Sequence, residues 1–133
     1  MSKTLILVRG ASGSGKSTVA SHLKFSLEYQ GTVAGPYEAD QWMMENGVYK
    51  FDPKKLHYAH TSCRNAVEDA MKKNIGTVIV SNTFIKKWEM QNYLDLAKQY
   101  GYAVQEIIVR SDFKNTHGVP DEKVAEMKSK FEF

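Results

Sequence analysis

Residues Gly10–Ser17 read GASGSGKS, and they decide the fold. The stretch fits G-x-x-x-x-G-K-[ST] at every fixed position. It follows the apolar run Thr4–Val8 (TLILV) with only Arg9 between, and it opens into residues of helical periodicity. A strand, a glycine-rich turn and a helix in that order form a cradle for phosphate. The glycines let the backbone turn tightly and bring its N–H groups close to phosphate oxygens. The helix N-terminus adds partial positive charge aimed at the same oxygens. The candidate cradle therefore comprises Gly10, Ala11, Ser12, Gly13, Ser14, Gly15, Lys16, Ser17 and Thr18. Lys16 is expected to reach the outer phosphates as a point charge and the Ser17 hydroxyl to ligate Mg²⁺. A dinucleotide loop would need G-x-G-x-x-G, but counting from Gly13 and Gly15 the third fixed position is Thr18. A nucleoside triphosphate with Mg²⁺ is the ligand this loop predicts.

Outward from the loop, hydrophobic periodicity divides the chain into alternating strands and helices. Lys16–Gln30 reads as a helix with Val19, Ala20, Leu23 and Leu27 on one stripe and Gly31 as its stop. Thr32–Ala39 reads as a second strand, weakened by Gly35-Pro36 toward an edge or a bulge. Residues 40–51 read as a loop, with room for a helical turn, carrying Trp42, Tyr49 and Phe51. Asp52 is an N-cap candidate with Pro53 at the first helical position. The helix that follows, to about Lys73, carries Leu56, Ala59, Cys63, Ala66, Val67 and Ala70 at three- and four-residue spacing. Thr77–Val80 is a third buried strand. A helix from Lys86 or Lys87 to Tyr100 ends at Gly101, and Tyr102–Val109 is a fourth strand. Residues 110–119 are a polar connector, and Pro120 opens a last helix with Val124, Met127 and Phe131 on one side. This alternation predicts right-handed crossovers and an α/β, three-layer sandwich around a small parallel sheet of about four strands, in one domain spanning residues 1–133.

Composition sets bounds on function. The chain has 133 residues, 42% of them hydrophobic and 25% charged, which is ordinary for a globular domain and argues against disorder. The longest apolar run, Leu5–Val8, is far too short to span a membrane, and no secretory leader is legible at the N-terminus. The single cysteine, Cys63, excludes an internal disulfide and a cysteine-rich zinc site, which points to a reducing, cytoplasmic setting. A net charge of +3 is compatible with a nucleic-acid partner without demanding one.

Three features bear on the reaction. Asp40 stands at the end of the second strand, where open parallel sheets place their ligands; a carboxylate there takes the proton of an attacking hydroxyl, or else caps the turn near Trp42. After the third strand, where an acid that organises Mg²⁺ is expected, the chain has Ser81-Asn82-Thr83. Asn82 brings no negative charge, which argues against a hydrolytic motor. His57, His60 and Arg64 fall at i, i+3 and i+7 beside the apolar stripe of their helix. With Trp42, Tyr49 and Phe51 they either border a groove for a base and a phosphate or form a plain solvated face over core aromatics.

Taken in order, these segments resemble the polynucleotide 5′-hydroxyl kinase family of P-loop kinases. The likeness is carried by the Gly10–Thr18 loop, Asp40 in Ala-Asp-Gln-Trp, Tyr49-Lys-Phe51, Ala59-His60 and Asn65-Ala66. It continues through Val78–Thr83, Trp88-Glu-Met90, Ala97–Tyr102 and the more specific Asn115–Pro120 segment (NTHGVP). The resemblance implies phosphoryl transfer from ATP, with Mg²⁺, to a 5′-hydroxyl end of DNA or RNA. It implies Asp40 as general base, Lys16 as γ-phosphate clamp and Ser17 as metal ligand. Trp42, His60, Arg64 and Asn82 become candidates toward the acceptor. The lid corresponds to Arg110–His117, with Lys114 at a lid-arginine position. Two departures stand out: Met43 occupies the place where some members carry an arginine, and the lid is short, with Lys114 lacking a guanidinium fork. A kinase of a small metabolite or mononucleotide, and a nucleotide-binding regulatory module with weak catalysis, are the alternatives.

Overall fold

The computed structural model describes residues 3–11, 13–50, 52–110 and 121–133. Among them β1 (Thr4–Arg9), β2 (Val33–Tyr37), β5 (Thr77–Asn82) and β6 (Ala103–Ile108) form one sheet in the order β2-β5-β1-β6, every neighbouring pair parallel. The helices are α1 (Lys16–Glu28), α2 (Leu56–Lys72), α3 (Gln91–Tyr100) and α4 (Asp121–Lys130). A two-stranded antiparallel hairpin, β3 (Met44–Glu45) with β4 (Val48–Tyr49), lies apart from the main sheet.

β1 is central because both of its faces are apolar. Leu5 and Leu7 point with Val78 and Val80 into a core closed by Ala59, Cys63 and Val67 of α2 and by Tyr93, Leu96 and Ala97 of α3. Ile6, Val8 and Ile79 point the other way, against Ala20, Val19, Leu23 and Leu27 of α1. Each fully buried Leu, Ile or Val of β1 and β5 contributes about 2 kcal/mol by leaving water, with Val19, Leu23 and Leu27 partly buried over them, so the sandwich is held from both sides of the same strand. This is the α/β three-layer arrangement that the alternation of elements predicts. The α1 connection from β1 to β2 passes over β5, and the connection from β5 to β6 passes over β1. Loops therefore part at the carboxyl ends of β1 and β5, where such sheets place their ligands.

Several boundaries differ from the sequence reading. The second strand is shorter than Thr32–Ala39, because Glu38 turns out of the sheet and Ala39–Met43 winds into a 3₁₀ turn. Its edge position and its irregular register between Ala34 and Tyr37 match the expectation drawn from Gly35-Pro36. The third strand runs two residues past Val80, so Ser81 and Asn82 pair with β1 rather than starting a loop. The loop expected over residues 40–51 contains the β3–β4 hairpin, whose turn residues Asn46 and Gly47 both have positive φ. The helix expected from Lys86 or Lys87 begins as a 3₁₀ turn, Lys87–Met90, before α3. Asp52 caps as expected, its carboxylate accepting from the Lys54 N–H, although Pro53–Lys55 is a 3₁₀ turn leading into α2.

Candidate active site

The candidate phosphate cradle begins between two strand ends. Gly10 donates its N–H to the Thr83 carbonyl at 3.2 Å, and Val109 donates to the Arg9 carbonyl at 2.8 Å. A Cβ on Gly10 would stand 2.4 Å from Ser14 Oγ and 2.7 Å from the Val109 oxygen, so only glycine lets the loop start there. Gly15 precedes α1 with φ of 92°, a left-handed conformation that other residues adopt only at a cost. No side chain caps α1, and no acidic residue stands in its first turn. Its N-terminal N–H groups and the positive end of its dipole therefore remain for an anion.

Two polar side chains of the loop, Ser14 and Lys16, are buried. Ser14 is 2% exposed, and its Oγ has no hydrogen-bond partner among the described residues. Lys16 is 5% exposed. Burial pushes its ammonium below the usual lysine range, and the nearby carboxylates of Asp40 and then Glu38 oppose that shift. An enclosed ammonium at a helix N-terminus is a costly arrangement unless a polyanion shares the space. Ser12 lies outside the described residues.

The acidic half of the site hangs from the end of β2. Glu38 is extended and starts the 3₁₀ turn without capping it; its carboxylate instead accepts from Ser17 Oγ at 2.5 Å. Asp40 is the second residue of that turn, half-buried, so it is not the cap that the sequence left open. Its charge acts on Lys16 and also on His60 of α2. The turn is fixed from behind: the Ala39 N–H donates to Asn82 Oδ1 at 2.8 Å, and Asn82 Nδ2 contacts Cys63 Sγ at 3.8 Å. Asn82 is thus buried behind Asp40. Glu38 is the residue that sequence reading passed over. The signal was there, a second carboxylate at the carboxyl end of a parallel strand, two residues before Asp40.

On the α2 side, His57 and His60 lie on the exposed flank and Arg64 is half-buried. The protein around the His60 ring pushes it below the usual histidine range. Glu89 and then Asp40 oppose that effect, and His57 adds to it. Trp42 packs against the main core beside Leu56, and Met43 is fully part of that core. Phe51 and the Tyr49 side chain lie outside what is described. Trp88 is 74% exposed on the turn that also carries Glu89.

The other flank is closed by the C-terminal segment. Arg9 is fully buried and pairs with Glu106 at 2.7 Å. It also donates to the carbonyls of Phe84 and Glu132 and lies over the Phe131 ring. Arg110 stacks on Phe133 at 4.1 Å. Between them and the loop is a cavity of about 250 Å³ lined by Ala11, Ser14, Val109, Arg110, Phe131 and Phe133. Lys114 lies outside the described residues. Among those residues there is no cluster of three or more His, Cys, Asp or Glu that could hold a metal, and no helix is long and apolar enough to cross a membrane.

Residues 5–133 match the family described as AAA domain (AAA_33). The chain belongs to that family. This AAA domain is 34% identical over 132 residues to NEDD4-binding protein 2 of Homo sapiens, an alignment covering 92% of this chain and 7% of the human protein. Among solved structures it resembles the Pnkp1/Rnl/Hen1 complex, with a TM-score of 0.62 and 18% identity over 93% of this chain and 38% of that one. It also resembles the Mycobacterium tuberculosis APS kinase CysC, solved with AMPPNP and APS. There the TM-score is 0.57 and the identity 17%, over 94% of this chain and 68% of the other. At those identities the likeness establishes the fold alone, a four-stranded parallel sheet covered by helices as in these kinase structures.

Proposed function

We propose that this AAA domain transfers the γ-phosphoryl group of ATP, with Mg²⁺, to the 5′-hydroxyl end of a DNA or RNA strand. The observation that carries the reading is the place of Asp40, on the turn at the end of β2 that Asn82 fixes from behind and that Glu38 ties to the first turn of α1, beside the buried Lys16. A general base belongs at that junction, with the phosphoryl donor on one side and the acceptor on the other.

In this reading the loop amides and Lys16 hold the β- and γ-phosphates, and the cavity beside Arg110 receives the adenine base. Ser17 offers its hydroxyl to Mg²⁺, which neutralises charge on the phosphate oxygens. The acceptor oxygen gives its proton to Asp40 as the O–Pγ bond forms and the bond from Pγ to the bridging oxygen breaks, so ADP leaves. Lys16 follows the charge that develops on the transferred oxygens. His60, Arg64 and Trp88 flank the acceptor, and Asn82 acts from behind by fixing the turn that carries Asp40.

Incubation with γ-labelled ATP and a 5′-hydroxyl oligonucleotide tests this. Label on the oligonucleotide end supports it; label released only as inorganic phosphate overturns it. The burial of Met43, where a phosphate-gripping arginine is missing, favours a small acceptor as the second reading, and a parallel incubation with free nucleosides separates the two.

A further inference from the structure

A serine ligates a metal through an oxygen lone pair, so its proton must point elsewhere. Here that proton goes to Glu38: Ser17 Oγ donates to Glu38 Oε1 at 2.5 Å. The strand-end position where an acid would organise the metal is occupied by Asn82, which is neutral, buried and already engaged with Ala39 and Cys63. Glu38 and Asp40 stand on either side of Ala39 at the end of β2, and of the two it is Glu38 whose carboxylate is bonded to Ser17 in the first turn of α1. We infer that Glu38 is the carboxylate of the magnesium site, so that the metal-organising acid has moved from the end of β5 to the end of β2.

This rests on the proposed reading of the loop as a Mg²⁺–nucleotide site. A hydroxyl and a carboxylate are hard oxygen donors suited to Mg²⁺, which fills its remaining positions with phosphate oxygens and water. The division of labour follows. Glu38 steers the Ser17 proton away from the ion and adds the negative charge that Asn82 lacks, leaving Asp40 to take the acceptor's proton.

The test is binding, not turnover. ADP affinity is measured by calorimetry with and without Mg²⁺, and Mn²⁺ affinity of the protein–ADP complex by electron paramagnetic resonance. In Glu38→Gln, removing a charge that repels phosphate leaves metal-free ADP binding equal to or tighter than wild type, while Mn²⁺ affinity falls roughly 10- to 100-fold. Ser17→Ala loses metal affinity to a similar degree. Glu38→Asp keeps the charge and retains more Mn²⁺ affinity than Glu38→Gln or, if the glutamine variant does not fold, than Ser17→Ala. Wild-type Mn²⁺ affinity in Glu38→Gln, or a loss in Glu38→Asp as large as in its comparison variant, overturns the assignment. Failure of the wild type to bind ADP overturns the nucleotide reading and this inference with it. Absence of label on any oligonucleotide, with the metal effect intact, overturns only the transfer reading.

Discussion

His60 and Cys63 sit three residues apart on α2 and show what the protein interior does to an ionisable group near the site. His60 reaches the surface, yet desolvation by the protein around its ring holds it below its usual range, against the pull of Glu89 and Asp40. The unfolded chain therefore takes up a proton more readily than the folded one, and stability falls as pH drops below about 6.5. Urea midpoints at pH 7.5 and 5.5 should differ more in wild type than in His60→Gln. An equal loss in both would remove His60 from that account. Cys63 is fully buried, with its thiol pushed up by burial. It should stay unreactive toward a thiol-specific disulfide reagent until urea unfolds the domain, whereas rapid labelling of the native protein would contradict the packing described.

Arg9 is the side chain on which several elements converge. It follows an apolar run and reads as a polar strand end, yet it is buried, paired with Glu106 of β6 and bonded to the chain at Phe84 and Glu132. Periodicity cannot reveal this, because the partners lie up to 123 residues away. Arg9→Met should lower stability by about 3 kcal/mol in urea unfolding, since Glu106 and two carbonyls lose their donor. It should also make the segment after α4 accessible to limited proteolysis. Unchanged stability would mean that the C-terminal segment is held by other contacts. β1, α2 and α3 were legible because their apolar patterns are regular and local signals bound them, as Asp52 does at the turn before α2 and Gly101 at the end of α3. The β3–β4 hairpin was missed although Asn46-Gly47 is a strong turn signal, because two-residue strands have no periodicity to detect. The end of β2 was overrun by two residues, because Glu38 and Ala39 leave the sheet through contacts to Ser17 and Asn82 that no local pattern encodes.

Across the whole domain, the sheet order β2-β5-β1-β6 brings together what the sequence keeps apart. The strand, the turn that starts at Gly10 and the helix from Lys16 were readable from the glycine spacing. Asp40 was readable from its place after a strand, but its coupling to both Lys16 and His60 emerges only once β2 and α2 are packed. Glu38 had its signal in a second carboxylate at the strand end, but its contact with Ser17 takes the packing of β2 on α1 to see, and Asn82 proved to brace the turn from inside the core. The account depends on Asp40 serving as the base beside the enclosed ammonium of Lys16. Single-turnover transfer from γ-labelled MgATP to a 5′-hydroxyl oligonucleotide, in wild type and in Asp40→Asn, tests that dependence directly. The account predicts a rate lower by about 10²- to 10⁴-fold with MgATP affinity nearly unchanged. A wild-type rate in Asp40→Asn would contradict it.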